Sequence, residues 1–363
     1  MYYFAHSYEF IFHNVKSLDR NPNKVYNLFI VKYIRSNFVM LDPIFNSSVF
    51  RNLIGHQWFQ FVFIVIITIF AAIKVTLQSA ACRKHIRNSR DSLMYNAMFF
   101  TAIAIFLSLT LKMQIPTAEI LVWTAIMAIG TVLFQVSYSV ALTEGPVSIT
   151  VLIINFAVVI PTVVSAVVFR EDLFISQVLG VICLLISFPL SMKESSDNQK
   201  KASKKWLLLT VAALIADSGV MTLQKLFRLT DSYNKAPEPA SNTFLLFVYI
   251  FSIILALAVY FVKGKISPDE KRTFRFGKSV ILFATAMGLD LAIFQKVYMT
   301  ANMRIPGSFF FPTFSGMSSV LMTVIGILLF GDRLNKRQWV GVLFGIGAIV
   351  LLNVQFGSSF TIA

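Results

Sequence analysis

Ten apolar runs divide this chain, near residues 57–78, 94–112, 119–142, 147–169, 173–192, 206–227, 243–262, 279–301, 307–330 and 337–354. Each is close to the roughly 20 helical residues needed to cross about 30 Å of hydrocarbon. In hydrocarbon the backbone N–H and C=O groups must be satisfied within the protein, which leaves helices and closed barrels. The runs lack the in–out alternation of barrel strands. They predict an all-α polytopic membrane protein with ten transmembrane helices. Composition agrees, at 56% hydrophobic and 13% charged residues over 363 positions, far from the balance of soluble domains.

The net charge of +15 would suggest a nucleic-acid partner in a soluble protein. Here the cations gather between the runs: Arg83, Lys84, Arg87 and Arg90 after the first; Lys193, Lys200, Lys201, Lys204 and Lys205 after the fifth; Lys263, Lys265, Lys271, Arg272, Arg275 and Lys278 after the seventh; Arg333, Lys336 and Arg337 after the ninth. Such loops face the cytoplasm, which places both termini outside. Residues 1–56 contain six Lys or Arg, no nucleic-acid motif and no signal-peptide order. They read as an extension without a span, flexible or lying on the surface, and no nucleic-acid partner is expected. A start codon further downstream is the alternative. Cys82 and Cys183 form no CxxC pair, and His6, His13, His56 and His85 all lie outside the runs without a second ligand at metal spacing. Neither a metal nor a cofactor is expected.

An internal repeat relates the two halves. At an offset of 146, Thr76-Leu77-Gln78 and Asn96 fall on Thr222-Leu223-Gln224 and Asn242. At 160, Met127, Phe134, Gln135, Tyr138, Ala141, Pro146 and Ser148 fall on Met287, Phe294, Gln295, Tyr298, Ala301, Pro306 and Ser308. At 161, Phe169, Leu173, Gln177, Gly180 and Val181 fall on Phe330, Leu334, Gln338, Gly341 and Val342. The division is 57–192 and 206–354 as two five-helix repeats, 193–205 as a basic linker and 355–363 as a tail. Five is odd, so the second half must enter the membrane from the opposite side: an inverted repeat, the arrangement that lets two halves expose a shared midplane site alternately to each side.

Polar residues inside the runs are the site candidates. Asp217 and Asp290 lie near the middle of runs six and eight, where a carboxylate is costly unless paired or hydrated; the repeat sets Ala71 and Gly130 opposite them. They suit an ammonium or a transferable proton, and the competing reading is a fixed ion pair with Lys74 or Lys296. Lys74 itself reads better as a side chain reaching the interface from near the end of run one. Glu144, Arg170, Lys112, Lys225 and Arg304 read as interfacial anchors. The duplicated amides Gln78 with Gln224 and Gln135 with Gln295, joined by Tyr138 and Tyr298, suit a polar ligand and equally suit interhelical hydrogen bonds. Run nine, beginning Gly307-Ser308-Phe309-Phe310-Phe311-Pro312, reads as interrupted by proline and glycine and can line a cavity through Ser315, with a kinked helix packed through small residues as the competing reading. Its repeat mate carries Asn155 and Pro161. Gly341 and Gly345 have the spacing of a close helix contact.

The turns Phe169-Arg170-Glu171-Asp172-Leu173 and Phe330-Gly331-Asp332-Arg333-Leu334, with the Gly/Pro starts of runs four and nine, resemble the EamA-like permeases of the drug/metabolite transporter superfamily over residues 57–354. Glu171 matches the acidic turn of that family, and Asp332 matches it in charge. The resemblance implies ten helices, alternating access and movement of small metabolites. The expected function is therefore a secondary transporter, not an enzyme. It would sit as a multi-pass protein in the cell membrane, among lipid, and export a small polar or amphipathic metabolite, amino-acid-like or cationic, with a proton or cation as coupling ion. A nucleotide-sugar antiporter is the alternative, needing converging cations at the midplane. A membrane-embedded lipid-modifying enzyme is the alternative from another class, needing clustered His or acid groups.

Overall fold

A computed structural model describes residues 48–86, 88–144, 150, 153–154, 156–191, 203–266, 277–330, 336–353 and 359–360. Most of the extension, Asn155, most of the basic linker, the Asp332 turn and most of the tail lie outside these residues. After a short helix, Ser48–Ile54, come α1 (Gln57–His85), α2 (Ser89–Thr110), α3 (Ala118–Glu144), α4 (Val159–Val168), α5 (Ile175–Ser191), α6 (Lys204–Leu226), α7 (Pro237–Ile266), α8 (Lys278–Arg304), α9 (Gly307–Phe330) and α10 (Lys336–Asn353). A two-residue antiparallel pairing, Leu173–Phe174 with Ser359–Phe360, is the strand structure among the described residues.

Six helices, α1, α2, α3, α6, α7 and α8, are long and apolar enough to cross a membrane. Three of the expected spans are shorter as described: Phe156–Val168, Ile175–Ser187 and Trp339–Leu352. Run four departs most from expectation, because a 3-10 turn, Phe156–Val158, precedes α4. Run nine is not interrupted. Pro312 is the sixth residue of a continuous helix, so its missing N–H costs one bond, to the Ser308 carbonyl. Caps explain where two helices begin: Asn88 Oδ1 accepts from Asp91 N at 2.8 Å, and Ser203 Oγ accepts from Trp206 N at 3.1 Å.

The outward faces are apolar. On α3, Val122, Ile126, Ile129 and Leu133 are exposed at helical spacing, and α1 exposes Val62, Ile66, Ile69 and Ile73. A continuous apolar belt of this kind suits lipid rather than water. Inside, α2 and α7 pack together and carry the aromatic core of Tyr95, Phe99, Phe100 and Phe244. Around them α1 packs on α8 and α9, and α3 and α4 pack on α6; α8 also meets α2, and α3 meets α7; α4 pairs with α9, and α5 with α10. Advancing each label by five turns every one of these pairings into another of the set or into itself.

The α5–α10 seam is a close backbone contact. Ser187 Oγ donates to the Gly341 carbonyl at 2.7 Å, and a Cβ on Gly180 would come within 3.1 Å of the Ala348 carbonyl and 2.8 Å of Leu352. Gly180 and Gly341 are repeat mates, as are Ser187 and Ala348. Gly345 also meets Ser187, so the glycine spacing serves close backbone approach. Gly180→Leu is expected to destabilise the protein by about 1–3 kcal/mol, as overpacking of a close seam does, read as a lowered midpoint in thermal unfolding of the detergent-solubilised protein. Gly219→Leu, where a Cβ meets nothing within 4 Å, is the control and is expected to leave the midpoint in place.

Candidate functional site

A cavity enclosing about 1160 Å³ of empty space, part of it open solvent, lies among α1, α3, α6, α8 and α9. Its lining is largely made of positions related by the sequence offsets of 146 and 160. Thr131, Phe134, Gln135 and Tyr138 of α3 face Leu291, Phe294, Gln295 and Tyr298 of α8, each 160 residues on. Ala71, Lys74 and Val75 of α1 have their mates Asp217, Val220 and Met221 of α6, and Ile154 and Val158 have Phe314 and Ser318 of α9. Nine mate pairs thus supply eighteen of the twenty-two lining residues.

The duplicated side chains also repeat their geometry. Phe134 stacks on Tyr138 with centroids 5.5 Å apart, and Phe294 lies 5.3 Å from Tyr298. Gln78 Nε2 donates to Gln135 Oε1 at 3.0 Å, and Gln224 Nε2 donates to Gln295 Oε1 at 3.4 Å. The Gln78 amide also donates to Ser139 Oγ. These amides therefore hold α1 to α3 and α6 to α8, while Gln135, Gln224 and Gln295 still border the cavity. Gln78 does not. Tyr138, Tyr298 and Ser315 are all in the lining, and the Tyr298 hydroxyl is buried without a hydrogen-bond partner.

The charges break the symmetry. Lys74 projects into the cavity, with its ammonium 5.5 Å from the Phe134 centroid and 5.9 Å from that of Phe294. The interfacial reading of Lys74 is corrected. The first apolar run ends at Gln78, but α1 continues to His85, which leaves Lys74 well inside the helix. Asp217 lines the cavity, and Asp290 is buried outside its lining with Oδ2 lacking a hydrogen bond. Lys74 is the cation that both carboxylates feel. It makes no ion pair within 4 Å among the described residues, so the competing fixed-pair reading is not realised there.

Lys296 is held elsewhere, 2.6 Å from Glu238 and 2.6 Å from Asn242 Oδ1. Glu238 also accepts from Arg304 at 2.7 Å, and Arg304 lies over Phe50. Lys225, 1% exposed, donates to the Ile305 carbonyl at 2.9 Å and pairs with Glu171 at 3.4 Å. Arg304 and Lys225 are therefore corrected from interfacial anchors to internal ties, whereas Lys112 and Arg170 stay at the surface and Glu144 pairs there with Lys205. Arg170 takes a left-handed φ of 49°, turning the chain so that Glu171 reaches Ser308 N at 2.8 Å. A carboxylate at that place satisfies a free N–H and the positive end of α9. Asn155 lies outside the described residues.

Three relatives carry the same printed description, multidrug resistance protein EbrA. The proteins of Bacillus atrophaeus and Bacillus subtilis are each 40% identical to this chain, over 62 and 67 residues. The chain spans 58% and 62% of their lengths. That of Bacillus licheniformis is 31% identical over 109 residues, which is 30% of this chain and 96% of the relative. The chain belongs to the EbrA family of multidrug resistance proteins. No family model matches it. A solved crystal structure of a protein superposes with a TM-score of 0.57 at 14% identity, covering 80% of this chain and 94% of its own, which speaks to the fold alone. With six apolar helices of spanning length, this relationship makes the chain an integral, multi-pass membrane protein.

The two kinds of ion pair differ in what their loss costs. Lys225→Met leaves Glu171 without its buried partner and is expected to destabilise by about 3–5 kcal/mol. Lys205→Met removes an exposed pair with Glu144 and is expected to cost at most about 1 kcal/mol. Parallel thermal unfolding of the two variants checks the contrast, and equal losses would contradict the internal role of Lys225.

Proposed function

We propose that the protein is a secondary transporter of the drug-efflux kind. It would move a small cationic or amphipathic metabolite through this cavity by alternating access, between two five-helix halves (57–192 and 206–354) arranged as an EamA-like inverted repeat of ten helices. The observation that carries the reading is the duplicated lining: a polar cavity bounded by mates from both halves is what an alternating site between two related units requires. The packing pairs that recur at a step of five helices support the same division. So does the relative from Bacillus licheniformis, which aligns over nearly its whole length with a stretch shorter than either half.

Substrate class follows from the lining. Faces of Phe134, Phe294, Tyr138 and Tyr298 attract cations and flat apolar groups, and the carboxylates of Asp217 in the lining and Asp290 buried outside it outnumber the single ammonium of Lys74. Proton exchange at one of the aspartates would supply the coupling, since protonation releases a bound cation. A nucleotide-sugar antiporter is less well served: Lys296 is committed to Glu238 and Asn242, leaving Lys74 as the cation of the lining.

Proteoliposomes with an imposed proton gradient test the proposal. Wild type is expected to move a lipophilic cation such as tetraphenylphosphonium against its gradient. Asp217→Asn or Asp290→Asn is expected to lose at least about tenfold of that rate, equivalent to about 1.4 kcal/mol in the barrier, while downhill exchange persists. Gradient-driven transport that is unchanged in both variants would contradict the coupling role, and absence of any transport by wild type would contradict the function.

A further inference from the structure

Lys74, half-buried in the cavity wall, is unlike the buried lysines. Lys225 and Lys296 are tied by bonds of 2.9 and 2.6 Å, but the Lys74 ammonium has no hydrogen bond or ion pair within 4 Å among the described residues. It rests between the rings of Phe134 and Phe294 instead. Those rings are repeat mates from α3 and α8, so the ammonium occupies the point where the two halves present equivalent aromatic faces. Its own mate is Val220. One half alone therefore contributes this cation, and the other contributes the carboxylates Asp217 and Asp290 that surround it electrostatically.

That position is where a cationic substrate would bind. It has two aromatic faces, acceptor capacity on the Tyr298 hydroxyl, which is buried without a partner, the Asp217 carboxylate in the cavity wall, and the charge of Asp290 acting from outside the lining. Resting on the transport reading above, we infer that Lys74 is a tethered surrogate for the transported cation. In the empty carrier its ammonium fills the site and compensates the carboxylates. On loading, substrate displaces it, and the four-carbon stem carries the charge aside.

Two consequences follow. The empty carrier can reorient without leaving carboxylates uncompensated in the membrane, where bare charge is costly. Lys74 also competes with every ligand, lowering apparent affinity by the fraction of time that it holds the site. Monocations with large apolar surfaces gain more from the rings than a hydrated ammonium does, so the competition favours lipophilic cations over small polar ones. Lys74 acts in this way as a specificity-determining residue.

The test is binding of tetraphenylphosphonium to the purified full chain in detergent, compared among wild type, Lys74→Met and Lys74→Arg. Removing the tethered competitor is expected to tighten binding about tenfold, or about 1.4 kcal/mol, in Lys74→Met, while Lys74→Arg keeps a cation in place and stays near wild type. Lys74→Gln serves if the methionine variant does not fold, with the same expected tightening. Binding that is equal or weaker in the neutral variants overturns the inference, because Lys74 would then be a support or a ligand for a substrate anion. Wild type and all variants failing to bind any lipophilic cation would overturn the cation-transport reading itself, and the inference with it.

Discussion

A charge taken out of water has to be answered by another charge or by directed dipoles, and the buried and half-buried cations Lys225, Lys296, Arg304 and Lys74 are answered in two different ways. Lys296 and Arg304 share Glu238. Lys225 shares Glu171 with the first turn of α9. These arrangements join separate segments: Glu238 at the start of α7 holds α8, and Glu171 in the turn before α5 holds the end of α6 and the start of α9. Lys74 is answered at longer range by two carboxylates and at close range by two aromatic faces. The first kind of solution makes a scaffold, and the second leaves room for a ligand.

In the proposed reading, duplication supplies the cavity and departure from duplication supplies its chemistry. At one contact between the halves, a Cβ on Gly130 would lie 3.1 Å from Val220; at the equivalent contact the mates are Asp290 and Lys74. Ala71 and Asp217 differ in the same sense. The paired backbones are thus free to adopt related packings while a single set of charges operates at their junction. A symmetric arrangement of charges would have placed two ammonium groups, or four carboxylates, in one apolar space.

Much of this was legible in the sequence because the bilayer restricts the backbone to helices and because Gln, Asn and Tyr are conspicuous in apolar runs. The repeat offsets brought Gln135, Gln295, Tyr138 and Tyr298 to the cavity wall, and Asp217 was marked by the cost of a carboxylate at mid-helix. Lys74 was misplaced because hydropathy locates where an apolar run stops, not where the helix does. Lys225 was misplaced for a different reason: its partner Glu171 is 54 positions away, and only the turn at Arg170 brings the two together. Phe134 and Phe294 stand out in the sequence only as repeat identities, since an aromatic ring in an apolar run looks the same whether it packs or binds. Pro312 has the sequence signature of a break, but near the start of a helix it removes little.

The claim on which the rest depends is that the two halves open this cavity alternately to opposite sides. Spin-label distances between the halves at both ends of the molecule test it most directly, using exposed positions Ile115 with Leu229 at one end and Ile186 with Leu208 at the other. Saturating tetraphenylphosphonium is predicted to lengthen one distance and shorten the other. Two distances that move in the same direction, or that stay fixed while ligand binds, would contradict alternating access.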